Sequence, residues 1–161
     1  MDDKIALDFK SVFEATGFVL LDVMFKSTEL TFLIDSGSDV NLIDIDLIKN
    51  KDKFEKKEGS YVSLGGRQNV VKFQGNFTFN IDEFEYSDVF TATDMSNFKE
   101  SMKNMFGLDA AGIIGSHFRR KFNAIIDYHN CRFLLDAVQA KNEEKAENEM
   151  QPTDGKVKKN S

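Results

Sequence analysis

The stretch Phe32-Leu33-Ile34-Asp35-Ser36-Gly37-Ser38 sets an acid at the end of a buried-looking apolar run and directly ahead of a glycine turn. Burial disfavours the charged form of a carboxylate unless hydrogen bonds or a partner charge compensate, so an acid in this place is a candidate for acid/base chemistry. Ser36 and Ser38 offer hydroxyl bonds, and Gly37 lets backbone approach closely. Asp, Ser and Gly are also the residues that turns prefer, so the triplet alone describes a strand end as readily as a site.

Outward from this segment, residues 17–25 are β-prone and are separated by polar Lys26-Ser27-Thr28-Glu29 from a second apolar run, 30–34, which reads as a β-hairpin. After the loop come residues 40–43 and then 44–49, whose acidic start and basic end predict a short helix. The charge run 49–58 reads as a solvated loop. Residues 60–64, 70–73, 76–81 and 84–92 are short β-prone runs parted by Gly65-Gly66, Gly75 and Asp82-Glu83, a spacing that suits a meander of hairpins. Residues 95–106 carry Phe98, Met102, Met105 and Phe106 at helical spacing with Gly107 as a stop. A short apolar strand at 111–115, a helical turn at 116–121 and a strand pair at 122–128 and 132–135 complete the pattern. From Gln139 onward Lys, Glu and Asn dominate around the single proline, Pro152, so residues 139–161 are expected to form a disordered charged tail without chemistry. Short strands with frequent turns and one or two small helices predict a mostly-β barrel or sandwich over residues 17–138, preceded by an N-terminal extension, residues 1–16.

A length of 161 residues suits one domain. Hydrophobic residues at 41%, charged residues at 30% and 16 Phe to fill a core describe a soluble globular chain. The net charge of -6 works against a phosphate-binding surface, so nucleic acid is not an expected partner. Cys131 is the only cysteine and His129 lies two residues from it, a proximity that alternate residues of a strand already explain. His117 and His129 are joined by no convergent ligand set, so no metal is expected, nor an organic cofactor. The start Met-Asp-Asp-Lys lacks a basic-then-apolar leader pattern and no run is long enough to span a bilayer; the expectation is a cytoplasmic protein without a membrane partner, unless a leader precedes it.

A second element changes the weight of the first. Ala111-Gly112-Ile113-Ile114-Gly115 is followed by Phe118, a basic pair and the strand Phe122-Asn123-Ala124-Ile125-Ile126-Asp127-Tyr128. Together, Leu33-Ile34-Asp35-Ser36-Gly37-Ser38 and, about eighty residues on, Ile113-Ile114-Gly115 resemble the paired motifs of the retropepsin-like aspartic peptidases, bacterial members more than viral ones. The resemblance spans residues 17–136 and implies a closed six-stranded β barrel in which Ile113, Ile114 and Gly115 cross behind the catalytic loop. It also implies a homodimer, because the chain carries one such triplet where pepsin-like enzymes carry two; Thr153-Asp154-Gly155 has the wrong order.

By the same resemblance Asp35 is the catalytic acid/base, Ser36 braces the loops across the dimer and Gly37 offers backbone contacts. Ser38 supports the outer carboxylate oxygen, Asp39 faces the substrate backbone, and the loop at Gly65-Gly66 is the flap over a bound peptide; a plain hairpin turn remains compatible with that loop. Viral relatives follow the second motif with an Arg that pairs with the acid at the position of Asp39, whereas Ser116 and His117 stand here, so either Arg119 or Arg120 substitutes or Asp39 is unpaired. The expected activity is an aspartic endopeptidase acting on peptides or proteins. Its rivals are a noncatalytic dimeric peptide-binding or scaffolding module on the same fold and an unrelated β-barrel binding protein.

Overall fold

A computed structural model describes residues 3–48, 54–63 and 66–138, with the side chains of 57–63 and 66–71 left aside. Ten strands and three helices follow in the order β1 (Lys4–Asp8), α1 (Lys10–Thr16), β2 (Leu20–Phe25), β3 (Thr28–Ile34), β4 (Asn41–Asp44), β5 (Phe54–Ser63), β6 (Gly66–Ile81), β7 (Phe84–Thr93), α2 (Ser96–Phe106), β8 (Gly112–Ile114), α3 (Ser116–Lys121), β9 (Ile125–Asp127) and β10 (Arg132–Asp136). Strands β2-β3-β8-β4-β7-β6 neighbour one another in that order, and β2 pairs again with β6, which closes a six-stranded barrel. β5 is appended to β6 outside the ring, and β1-β10-β9 form a separate sheet.

Alternation along the strands explains why the ring closes around a core. Leu21 and Val23 of β2, Leu30, Phe32 and Ile34 of β3, and Phe77, Phe79 and Ile81 of β6 point inward and are buried. The phenyl rings carry most of the filling: Phe32 lies 5.7 Å from Phe90, Phe77 lies 5.1 Å from Phe90, and Phe79 lies 5.7 Å from Phe118 of α3, measured between centroids. α3 is thereby packed onto the open end of the aromatic core.

The predicted β2–β3 hairpin is present in register from Leu20↔Leu33 to Phe25↔Thr28, and α2 stops at Gly107, whose φ of 69° is the left-handed conformation that glycine adopts readily. Four expectations need correction. The helix at 44–49 is only a 3-10 turn, Ile45–Leu47, because Asp44 is held extended by its N–H bond to Ala111 O and by Lys99 on its carboxylate. The charged segment 49–58 is strand from Phe54 onward, and residues 49–53 lie outside the described residues. Residues 70–73 and 76–81 belong to one strand, since Gly75 is held by pairing with Phe54 on one side and Phe90 on the other. The strand expected at 122–128 is only Ile125–Asp127, because the N–H groups of Phe122, Asn123 and Ala124 bond back to Phe118, Arg120 and Arg119 of α3.

Ahead of Gly17, where the sequence sets the start of the barrel domain, β1 pairs antiparallel with β10 from Lys4↔Asp136 to Asp8↔Arg132. Residues 139–161, read as a tail, lie outside the described residues. No helix among the described residues is long and apolar enough to cross a membrane.

Candidate active site

β3 delivers Asp35 to the rim of the barrel. The chain leaves the sheet after Ile34, makes the loop 35–40 and returns as β4; β8 lies between these strands, parallel to β3 and antiparallel to β4. The loop therefore straddles the end of β8. Ile113 pairs with both Leu33 and Leu42, and Ile114 pairs with Ile34 and is fully buried. Three backbone bonds seat the loop: Asp35 N–H to Ile114 O at 3.1 Å, Ser116 N–H to Ser38 O at 2.8 Å, and His117 N–H to Asp39 O at 3.1 Å.

Two glycines permit this close approach. A Cβ on Gly112 would stand 1.9 Å from Leu42 O, and one on Gly115 would stand 2.4 Å from Val40 O and 2.7 Å from Ser38 O. Backbone atoms occupy those places, so the apolar-apolar-Gly pattern is a requirement of β8 lying directly behind the loop.

Within the loop, Gly37 N–H donates to Asp35 Oδ1 at 2.8 Å and Ser38 N–H donates to Asp35 O at 3.2 Å. The first bond fixes one carboxylate oxygen by a charge-assisted contact and leaves Asp35 half-buried, with Ser36 and Gly37 exposed beside it. The Ser38 hydroxyl donates to Val40 O at 2.8 Å, because the turn brings that carbonyl, two residues on, within local reach. Asp39 is exposed and meets Ser116 Oγ at 3.5 Å. Among the described residues no arginine pairs with it; Arg119 extends its Nη2 to Ser36 O, 3.5 Å away. Gly65 lies outside the described residues, and Gly66 opens β6 opposite Ser63.

His129 and Cys131 fall in the turn between β9 and β10, where Cys131 has φ 52° and its Sγ lies 3.7 Å from Tyr128 O. His117 has a different environment: its Nδ1 is 3.0 Å from the carboxylate of Asp88, a buried residue of β7. Asp88 and its amide partner Asn41 went unnoticed in the sequence. The signal was the alternation Tyr86-Asp88-Phe90, which puts an acid on the inward face of a strand.

A closed six-stranded barrel with an Asp-Ser-Gly loop astride a short inner strand defines the retropepsin-like fold. Among solved structures the chain is similar to a retropepsin-like aspartic protease from Rickettsia conorii, at 13% identity and a TM-score of 0.50, over 85% of this chain and 92% of that one. No family model and no curated protein matches the sequence.

Proposed function

We propose that the protein is an aspartic endopeptidase that hydrolyses peptide bonds with water activated by an Asp35/Asp35 pair formed across a homodimer. The observation that carries this reading is the half-buried Asp35 carboxylate, held by Gly37 N–H at 2.8 Å at the rim of a retropepsin-like barrel. Each chain brings one such loop, and a two-fold axis near it brings two acids together.

Carboxylates about 3 Å apart do not both ionise easily and share one proton, the known behaviour of aspartic protease dyads. The unprotonated acid takes a proton from water while the protonated one gives its proton to the scissile carbonyl oxygen. The hydroxide oxygen bonds to the carbonyl carbon, giving a neutral gem-diol. Its collapse breaks the C–N bond as the acid that took the water proton gives it to the leaving nitrogen and the other acid takes a proton back from a gem-diol hydroxyl, which restores the singly protonated pair. In this reading Ser36, Gly37, Ser38 and Asp39 shape the floor of the cleft, and the loop at Gly65-Gly66 would be the flap over a bound peptide.

The test compares wild type with Asp35→Asn on a mixed peptide library across pH, with particle mass measured in parallel. Asn keeps the size and one acceptor oxygen but removes the proton acceptor from both subunits, so cleavage should fall by at least about 10^2-fold while fold and mass persist. Wild-type activity should be bell-shaped in pH with an acidic to weakly acidic optimum, since only the singly protonated pair is competent. Equal cleavage by both proteins removes Asp35 from the mechanism, and cleavage by neither transfers the reading to a noncatalytic peptide-binding module.

A further inference from the structure

β7 turns Tyr86, Asp88 and Phe90 toward the core, and none of the three is more than 1% exposed. A carboxylate between two aromatic rings on the inward face of a barrel carries a desolvation cost that only close polar partners offset. Asp88 has four. Val89 N–H donates to Oδ1 at 2.8 Å, Asn41 Nδ2 donates to Oδ2 at 2.8 Å, His117 Nδ1 lies 3.0 Å away, and Lys121 Nζ lies 3.8 Å from Oδ1.

Asn41, itself 1% exposed, opens β4 where the Asp35 loop re-enters the sheet. Its Nδ2 also donates to Val89 O at 3.0 Å, and its Oδ1 accepts Gly115 N–H at 2.9 Å. The amide therefore has one orientation: acceptors face its nitrogen and a donor faces its oxygen. Immediately after Gly115, the N–H groups of Ser116 and His117 bond to Ser38 O and Asp39 O. β7, the start of β4 and the start of α3 are thus joined through one buried carboxylate, directly behind the loop that carries Asp35.

We infer that Asp88, acting through Asn41, is a positioning residue for the Asp35 loop, an inference that rests on Asp35 being the catalytic acid. Asp35 is seated on β8 at the front of the loop, and the Asn41–Asp88 contact fixes the back. Releasing the back lets residues 35–40 shift against β8, and a displacement of about 1 Å costs on the order of 10^2-fold in rate.

The fixed polarity of the contact supplies the experiment. N41D sets two buried carboxylates against each other, and D88N leaves a single amide oxygen for both Asn41 Nδ2 and Val89 N–H, so one of these donors faces an amide nitrogen. The double variant N41D/D88N exchanges donor and acceptor, restores a bond between the two positions and keeps an oxygen for Gly115 N–H; Val89 O loses its donor, so recovery is partial. Each single variant should lower kcat about 100-fold with KM nearly unchanged. The double variant should exceed either single by about tenfold. Amide exchange at Asp35, Ser116 and His117 should accelerate in the singles and slow again in the double. H117A, which trims only the half-exposed outer partner, should give a smaller loss of the same kind and carries the test where the singles do not fold. A double variant no better than the singles, or an H117A protein with wild-type kcat and wild-type exchange, overturns the inference. If wild type and D35N cleave alike, the catalytic reading fails separately. The positioning of the loop is then judged by exchange alone, and unchanged protection in the variants overturns it.

Discussion

Replacing Gly115 by alanine sets a methyl group against the carbonyl oxygens of Val40 and Ser38, neither of which can move without shifting the loop. Overpacking of that kind costs about 1–3 kcal/mol. Gly115→Ala should therefore lower Tm by on the order of 10 °C and abolish cleavage as the loop lifts off β8. Gly37→Ala should act differently. Its added Cβ would meet only Asp35 Oδ1, at 3.3 Å, so the neighbour that gives way is the carboxylate. Thermal melting should stay near wild type while kcat falls; a folded Gly37→Ala protein with full activity would show that the Gly37–Asp35 bond is dispensable. The candidate acid and its glycine turn were legible in the sequence because both depend on neighbours in the chain. Asn41 and Asp88 were not, because their pairing joins residues 47 positions apart that only barrel closure brings together.

At the scale of elements, β1 and β10 are tied at their ends by Lys4 Nζ to Asp136 Oδ1 at 2.7 Å, and Asn123 Nδ2 donates to the other oxygen at 2.6 Å. Lys4 first, and Asn123 second, hold the Asp136 carboxyl below its ordinary value of 3.8. A lowered value in the fold means that this contribution is present above the unfolded value and is lost as pH falls through the folded one. Lys4→Met should move the Asp136 titration up toward 3.8, followed by carboxyl NMR, and β1 amides should exchange faster. A midpoint that does not move would show that Asn123 alone sets it. The β2–β3 hairpin and α2 were readable from apolar spacing, since each satisfies its backbone largely within itself. Residues 44–49 and Gly75 were misread because tertiary partners decide them: Lys99 and Ala111 for the first, flanking strands for the second.

For the whole molecule, the proposed shared-acid mechanism requires a two-fold assembly, because each chain carries one Asp35 loop. Sedimentation of the 18.3 kDa chain should give about twice that mass at working concentration. A monomer at every concentration, with peptide present, excludes the shared-acid mechanism. Truncation after Ala140 should leave Tm and particle mass unchanged, because a segment rich in Lys, Glu and Asn adds little apolar burial. Loss of the dimer on truncation would assign those residues to its interface. The barrel itself is fastened unevenly. β6 and β7 share a ladder from Phe73↔Ala92 to Ile81↔Phe84, whereas β2 and β6 share the single register pair Met24↔Asn80. The rings of Phe25 and Phe77, 4.7 Å apart, cross that seam. Under denaturing stress the protein should accordingly behave as a rolled sheet and not as a hoop: deuterium should enter first at Met24 and Asn80, and unfolding should begin by unrolling β2 away from β6 before the long β5–β6–β7 ladder yields.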